Sequence, residues 1–296
     1  MTKIGKFKND QARETFLRAY EALETLWPLP ATTLDIQTAL GSTHVRHSGS
    51  GAKTPIVLLH PIGGNGLVWH SIIEDLARDR VVYALDTIGT AGRSVQTAPL
   101  RGESDLAAWF DEVMAGLGLD RVHVVGYSHG AWHAGLVALH EAGRLASVTL
   151  IEPGGVFVKP KWSVLLKMIA FGMKGKSDKN LRKIAEWLTP GVRLHELEFA
   201  LAKPALEYRM RIGWARVLKD AELRSITTPT LVMFGADTLV ADPELAARRI
   251  AEHMPDAETV IYPGTGHGVL LQIPRQLTRR ILEFVQQHDQ LAPTTA

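Results

Sequence analysis

A regular alternation of short apolar runs with amphipathic helical segments begins near Pro55, and it constrains the fold more than any other feature of the sequence. Pro55–His60 is a nearly continuous apolar run that begins and ends beside Pro, which is typical of a strand buried on both faces. Further strands are predicted at Val81–Asp86, Arg121–Tyr127, Ser147–Glu152, Thr230–Phe234 and Thr259–Tyr262. Helices are predicted between and after them at Val68–Ala77, Asp105–Leu117, His129–Ala142, Pro243–Met254 and Pro274–Gln287. Strands that alternate with helices indicate an α/β fold with a mostly parallel, doubly wound sheet.

The alternation stops between residues 156 and 220, where only helical periodicity is present. Trp162, Leu166 and Ile169 recur at steps of four and three, which is typical of one helix face. We therefore predict a helical insertion in the sheet at this point. The predicted organisation is an N-terminal helical arm (1–30), a core (31–155 and 221–296) and a helical insertion (156–220).

The N-terminal part precedes the alternation and has its own pattern. Asn9 is a candidate cap for a first helix, because a short polar side chain can accept a hydrogen bond from the first turn. Thr33–Leu40 and Thr43–Ser48 are predicted as two strands, with Gly41-Ser42 as the hairpin turn.

Composition excludes several classes of protein. The 296 residues are 46% hydrophobic, which is enough for a full core, and the absence of Cys excludes disulfide scaffolds, thiolate metal sites and cysteine nucleophiles. The net charge of +2 argues against a dedicated nucleic-acid-binding protein. No run approaches the roughly 20 apolar residues that span a bilayer, and no signal-peptide pattern follows the first lysines, so we expect a cytoplasmic protein.

The pentapeptide GYSHG (126–130) lies between a predicted strand and a predicted helix, the context in which a G-x-S-x-G pattern holds a nucleophilic serine. Ser128 needs a base to attack near neutral pH. His267 is the candidate, because its Gly-rich loop follows the last predicted strand at the carboxyl edge of the sheet, where ligands bind in such folds.

A carboxylate must orient the imidazole and stabilise its charged form. Asp237 follows the preceding strand and is our first candidate, with Asp242 and Glu152 as alternatives. Two backbone N–H groups must also face the developing negative charge on the substrate oxygen. The N–H groups of His129 and Ile62 are predicted for this role, since Pro61 has none.

With these motifs the sequence resembles the α/β-hydrolase superfamily from about Pro55 to His288. The resemblance is carried by LLHPIGG (58–64), TIGTAGRS (87–94), GYSHG (126–130), PTLVMFGAD (229–237) and PGTGHG (263–268). It implies hydrolysis through an acyl-enzyme without a cofactor, and it implies that the helical insertion is a cap domain.

The sequence departs from the family pattern at two positions. Pro61 stands where the family usually has Gly. The acid loop of the family is more often Gly-x-x-Asp, whereas Gly235-Ala236-Asp237 is one residue shorter, which makes Asp237 less certain than Ser128 or His267.

The insertion also differs from the rest of the chain in charge. Residues 159–219 hold 14 Lys/Arg and 5 Asp/Glu, a balance of +9, whereas the remainder has a balance of −7. A positive field of this kind could attract a small acyl substrate that is anionic or is carried by an acidic partner, or it could belong to solvated helix faces. The side chains proposed for the substrate pocket, with packing as the alternative for the tryptophans, are His60, Tyr127, Trp162, Trp187 and Trp214.

We conclude that the sequence predicts a serine hydrolase that cleaves a carboxylic ester, lactone or thioester. A lyase, cyclase or isomerase that reuses the same residues for proton transfer, or a non-catalytic binding protein, remains open because one fold hosts many functions. No metal is expected. His129 and His133 are four residues apart on one predicted helix, but no acidic third ligand is evident.

Overall fold

A computed structural model describes residues 4–160, 162–173 and 177–289. Within them, nine strands form one twisted sheet, and two further short strands pair with each other. The strands are β1 (Lys6–Phe7), β2 (Thr32–Thr38), β3 (Gly41–Ser48), β4 (Ile56–Leu59), β5 (Val82–Leu85), β6 (Val95–Gln96), β7 (Val122–Tyr127), β8 (Leu145–Ile151), β9 (Tyr208–Arg209), β10 (Thr230–Gly235) and β11 (Glu258–Tyr262).

Helices cover both faces of this sheet. They are α1 (Asp10–Glu24), α2 (Ile73–Leu76), α3 (Glu103–Gly116), α4 (His129–His140), α5 (Trp162–Met173), α6 (Asp178–Leu188), α7 (Glu196–Ala205), α8 (Asp220–Ser225), α9 (Pro243–His253), α10 (Val269–Gln272) and α11 (Pro274–Gln287). A 3-10 turn, Gly66–Ser71, precedes α2, and another occupies Ala142–Arg144.

The order across the large sheet is β11-β10-β8-β7-β4-β5-β3-β2, with β6 paired to β3. The six strands from β11 to β5 are mutually parallel, whereas β2 and β3 form an antiparallel hairpin at the edge. The predicted mostly parallel α/β sheet is therefore confirmed.

The parallel strands are apolar on both faces because each face is covered. Val57 and Val124 pack into one buried cluster, and their neighbours Leu58 and Val125 pack into the other, on the opposite face. Successive side chains of a strand point to opposite faces, so a strand with helices on both sides has no polar face.

The two-residue strand β9, near the end of the predicted insertion, pairs with β1 near the start of the described residues. Lys6 pairs with Arg209 and Phe7 with Tyr208, and α1 packs against α7. Asn9 caps α1 as expected, since its Oδ1 accepts from the Ala12 N–H at 2.8 Å. The arm is thus attached to the insertion, a contact that the sequence pattern did not reveal.

The hairpin turn between β2 and β3 was predicted two residues too late. Gly41 and Ser42 already belong to β3 and pair with Thr38 and Gln37, so the turn lies at residues 39–40. Gly41 has a φ of 130°, and a Cβ there would lie 2.1 Å from the Val95 carbonyl oxygen. Glycine is needed here for the close approach of β6 rather than for the turn.

Among the described residues, no helix combines the length and the apolar character that a membrane span requires.

Candidate active site

Ser128 lies at a sharp turn between β7 and α4. Its φ of 55° is in the left-handed region, which a residue other than glycine adopts at a cost of roughly 1 kcal/mol or more. A Cβ at Gly126 would lie 2.2 Å from the Gly130 carbonyl oxygen, and a Cβ at Gly130 would lie 2.1 Å from the Leu59 carbonyl oxygen. Only glycine fits at both flanking positions, and the turn lifts the Ser128 side chain to the carboxyl edge of the sheet.

A continuous line of hydrogen bonds runs from Ser128 through His267 to Glu152. The Ser128 Oγ and the His267 Nε2 are 3.1 Å apart, and the His267 Nδ1 lies 3.0 Å from the Glu152 Oε2. Tyr127 supports the imidazole from the side, because its hydroxyl donates to the His267 carbonyl at 2.6 Å and its ring lies 5.6 Å from the imidazole. This arrangement can transfer a proton from the serine hydroxyl to the imidazole.

The Glu152 carboxylate is completely buried and is held by fixed donors. It follows β8 with a φ of 51°, and among the described residues other than glycine only Glu152 and Ser128 have a positive φ. Its Oε1 accepts from the Gly235 N–H, and its Oε2 accepts from the Thr238 hydroxyl, both at 2.5 Å. A buried charge that is paired and hydrogen-bonded in this way has a single orientation.

The structure does not place Asp237, our first candidate for the acid, beside His267. The alternative candidate, Glu152, contacts the imidazole instead. The Asp237 side chain is exposed, and its backbone N–H donates to the Thr265 carbonyl at 2.8 Å. The next residue, Thr238, is buried and faces Glu152. Because the loop is one residue shorter than Gly-x-x-Asp, the inward position is 238, and a threonine occupies it.

The remaining alternative acid, Asp242, caps α9. Its Oδ1 accepts from the Leu245 N–H at 3.0 Å. No contact with His267 is made by Asp242 among the described residues.

Hydrogen bonds fix the conformation of the loop that follows β4. The buried Asp86 carboxylate accepts from the Gly66 N–H at 2.7 Å, and the Gly64 N–H donates to the Pro61 carbonyl at 3.0 Å. Within the described part of the chain, the N–H groups of Ile62 and His129 find no acceptor. Both groups are therefore free to donate to a substrate oxygen, and their assignment as oxyanion donors stays a prediction.

His60 lies beneath this loop rather than on the wall of a pocket, so its prediction as a pocket residue was wrong. It is buried, its Nδ1–H donates to the Pro61 carbonyl at 2.8 Å, and its Nε2 accepts from the Thr87 N–H at 3.0 Å. Burial lowers the pKa of the His60 imidazole, and the nearby Asp86 offsets this only in part. The neutral imidazole links the loop after β4 to the loop after β5.

Two further histidines lie on α4. The His129 Nε2 donates to the Gly213 carbonyl at 3.1 Å, and burial lowers the pKa of His129 to about 4. Burial likewise lowers the pKa of His133, whose two ring nitrogens have no partner in the described residues. The described residues contain no group of three or more His, Cys, Asp or Glu side chains that could hold a metal ion.

The three tryptophans of the insertion have different positions. Trp162 and Trp214 are 75% and 77% exposed, whereas Trp187 is half-buried and packs against Phe171 with ring centroids 5.5 Å apart. Trp187 therefore packs the insertion internally, as in the alternative interpretation, and Trp162 lines no described cavity. Trp214 lines a cavity that is described below. The side chain of Ile169, which was predicted to lie on one face of a helix, is outside the described part of the structure.

Some of the basic residues of the insertion have carboxylate partners. Arg182 pairs with Glu196 at 2.9 Å, and Lys203 pairs with Asp178 at 3.0 Å. Ion pairs of this kind belong to solvated helix faces. The prediction that the insertion attracts anionic substrates therefore depends on its other basic side chains.

The chain is similar in sequence and in structure to known proteins. A model of a family described as "Alpha/beta hydrolase family" matches residues 56–280. Carboxylesterase YbfK of Bacillus subtilis is 25% identical over 91% of this chain and 93% of its own length. A second B. subtilis protein, the uncharacterized carboxylesterase nap, is 26% identical over 91% of each chain. The crystal structure of carboxylesterase CesB (YbfK) superposes with a TM-score of 0.86 and covers 93% of this chain and 98% of that one.

Proposed function

The chain belongs to the alpha/beta hydrolase family, and we propose that it is a serine esterase that cleaves a carboxylic ester through an acyl-enzyme on Ser128. The single observation that carries the proposal is the hydrogen-bonded line from the Ser128 Oγ through the His267 imidazole to the buried Glu152 carboxylate. Its carboxylesterase relatives support an esterase. A thioester or a lactone presents the same acyl carbonyl and belongs to the same proposal.

In the first half of the reaction, the His267 Nε2 accepts the proton of the Ser128 hydroxyl while the Oγ attacks the acyl carbonyl carbon. The carbonyl oxygen gains negative charge and receives hydrogen bonds from the N–H groups of Ile62 and His129. The imidazolium then gives its proton to the leaving alcohol, and the acyl group stays on Ser128.

In the second half, water takes the place of the alcohol. His267 accepts a proton from the water, the hydroxide oxygen attacks the acyl carbon, and the Ser128 oxygen leaves with that proton. Glu152 stabilises the imidazolium in both halves and keeps the Nδ1–H directed towards itself. The free carboxylic acid is the second product.

We further propose that residues 156–220 act as a cap over this edge of the sheet. Two contacts support the proposal. A Cβ on Gly268, next to His267, would lie 2.8 Å from the Thr189 side chain, and the Gly213 carbonyl accepts from His129. Thr189 and Gly213 both belong to this segment, so it contacts the neighbours of the base and of the nucleophile.

A fluorophosphonate probe tests the nucleophile directly. We expect the wild type to be labelled on the peptide that contains Ser128, and the Ser128→Ala variant to remain unlabelled. Unlabelled wild-type protein is screened separately against methyl, aryl and thioester substrates of varied acyl length. Absence of labelling contradicts the proposed nucleophile, and labelling without turnover of any ester or thioester favours a lyase or isomerase instead.

A further inference from the structure

A cavity of about 300 Å³ opens between the start of α3, the first turns of α4 and the segment that follows β9. Its walls come from three separate parts of the chain, one of them in the predicted insertion. The lining residues used below are Leu106, Arg101, Glu103, Trp132, Arg211 and Trp214.

The cavity begins one helical turn from the nucleophile. Trp132 is four residues after Ser128 on α4, and one turn of a helix rises about 5.4 Å. The His129 ring, next to Ser128 in the chain, has its centroid 5.0 Å from that of Trp132, and it donates to Gly213, which also lines the cavity. The cavity is therefore close enough to Ser128 for one substrate to contact both.

The walls are mostly apolar but include unused polar groups. Leu106 and the Trp132 indole form the inner wall, and the 77% exposed Trp214 forms part of the mouth. The Trp132 side chain is 2% exposed, and its Nε1 has no hydrogen-bond partner in the described residues. A buried N–H without an acceptor costs stability unless a ligand supplies one.

The acidic side chain that lines the cavity has an ion-pair partner, whereas two of the basic side chains have none among the described residues. The carboxylate of Glu103 is held by the Arg216 guanidinium at 2.6 and 2.7 Å, and Arg216 also pairs with Glu222. Arg101 and Arg211 pair with no described carboxylate: the Arg211 Nη1 donates only to the neighbouring Met210 carbonyl.

A further carboxylate and a helix N-terminus lie near these two guanidiniums. Asp105 lies at the start of α3, where it accepts from the backbone N–H of Arg101 at 2.7 Å. Gly102, the N-cap of α3, provides no side-chain hydrogen bond, so the first N–H groups of the helix also favour negative charge beside the cavity.

We propose that this cavity is a binding subsite for an apolar group that ends in an anionic head, with a carboxylate as the reference chemistry, on the ester whose carbonyl reacts at Ser128. The inference rests on the proposed function and names its substrate class. The apolar part packs on Trp132 and Trp214, and the anionic head is bound by Arg101 and Arg211, since guanidinium groups bind carboxylates through paired donors.

Matched esters test the proposal. Monomethyl esters of straight-chain dicarboxylic acids with four to twelve carbons are compared with methyl esters of the corresponding monocarboxylic acids. We expect one range of lengths for which the anionic ester has a kcat/KM about tenfold above its neutral counterpart. Arg101→Gln and Arg211→Gln each remove roughly this advantage through KM, and leave the neutral ester within about twofold, since each removes one charge-assisted contact.

Arg279→Gln is the matched control, because Arg279 is an exposed arginine on α11 that pairs with Glu283. It should leave both ester series unchanged. Equal effects of the Arg101 and Arg211 variants on anionic and neutral esters overturn the subsite while the proposed esterase stands.

A binding measurement separates the two proposals. Calorimetric titration of Ser128→Ala protein with monomethyl suberate should show binding that weakens about tenfold in the double variants Ser128→Ala/Arg101→Gln and Ser128→Ala/Arg211→Gln. Such binding together with no ester turnover by the wild type contradicts the proposed esterase but supports the anion subsite. Binding that is absent, or that is insensitive to both arginines, overturns the subsite.

Discussion

Serine, histidine and carboxylate form a hydrogen-bonded line at both edges of the sheet, but the two lines have different surroundings. At the carboxyl edge, His267 lies 3.1 Å from the Ser128 Oγ and 3.0 Å from the Glu152 carboxylate. Ser128 is half-buried in a strained turn, and the chemistry proposed for the protein takes place there.

At the amino edge, a serine, a histidine and an aspartate form a line in the same order. The His123 Nδ1 is 2.7 Å from the Ser147 Oγ, and its Nε2 is 3.2 Å from the Asp289 Oδ1. His123 and Ser147 are register partners on β7 and β8 and are completely buried, and the Arg80 guanidinium binds both oxygens of Asp289 at 2.9 Å. This line joins the end of the chain after α11 to the sheet.

The comparison shows that residue types and distances do not by themselves make a nucleophile. Ser147 lies within a strand and is completely buried, so no substrate carbonyl can approach its hydroxyl. Ser128 lies at a strand end, beside the helix N-terminus of α4. Access and backbone geometry separate a reactive line from a structural one.

Replacement of the two serines by alanine sharpens this difference most. We expect Ser128→Ala to lower kcat by roughly 10⁵-fold with no loss of stability, because the reacting oxygen is removed. Ser147→Ala should leave kcat/KM within about twofold and lower the melting temperature. Ester hydrolysis and thermal melts of both variants provide the check; a large fall in kcat for folded Ser147→Ala would contradict the structural role of the amino-edge line.

The second comparison is between the two candidate acids. Glu152→Gln should lower kcat by roughly 10³- to 10⁴-fold, since an amide cannot stabilise the imidazolium. Asp237→Asn is the matched control, because this exposed carboxylate has no contact with His267, and kcat should stay within about twofold. Steady-state kinetics distinguish them, and the reverse order of effects would restore Asp237 as the acid.

At the amino edge, the corresponding replacement acts on stability. Asp289→Ala removes the carboxylate that binds both Nη atoms of the fully buried Arg80 guanidinium and leaves the 3.2 Å contact between the Arg80 Nε and Asp79 as its only carboxylate contact among the described residues. It should lower the free energy of unfolding by about 3 kcal/mol. Urea denaturation measures it. Asp120→Ala, which removes an exposed partner of Arg144, should have no measurable effect on the unfolding midpoint. An unchanged midpoint in Asp289→Ala would show that the amino-edge line does not hold the C-terminus.

The smallest expected effect is on how stability depends on pH. Burial lowers the pKa of His123 to about 4, and the hydrogen bond that the His123 Nε2–H donates to Asp289 offsets burial only in part. As pH falls, His123 therefore binds a proton in the unfolded chain before it does so in the folded protein. The contribution of neutral His123 to the free energy of unfolding is complete above about pH 6.5 and is lost towards pH 4. We expect the wild type to lose about 1 kcal/mol more stability than His123→Gln between pH 7.5 and 5.5. Equal losses in urea titrations would contradict the assignment.

Much of the catalytic edge could be predicted because its signals are local. GYSHG and the loop that holds His267 each follow a strand whose apolar run is visible in the sequence. The acid was misplaced because its position depends on loop length: one residue fewer after β10 turns Asp237 outward and Thr238 inward. A glutamate directly after the apolar run of β8 was the available signal for Glu152.

Other contacts carried no local signal. The amino-edge line joins positions 123, 147 and 289, and nothing in the pattern around any one of them indicates the others. The cavity beside Trp132 is likewise lined from three distant segments, and strands of two residues such as β1 and β9 are too short for a periodic pattern.

The pairing of β1 with β9 also has a consequence for synthesis on the ribosome. Residues 6–7 cannot pair until residues 208–209 have been synthesised, and α1 cannot pack against α7 until α7 has been synthesised. At a synthesis rate of about 5–20 residues per second, that delay is roughly 10 to 40 seconds. During this time the side chains of Phe16, Tyr20 and Leu23, buried in the finished protein, lack their partners on α7. The arm is therefore made well before the segment that it packs against, and its apolar face is uncovered in the meantime.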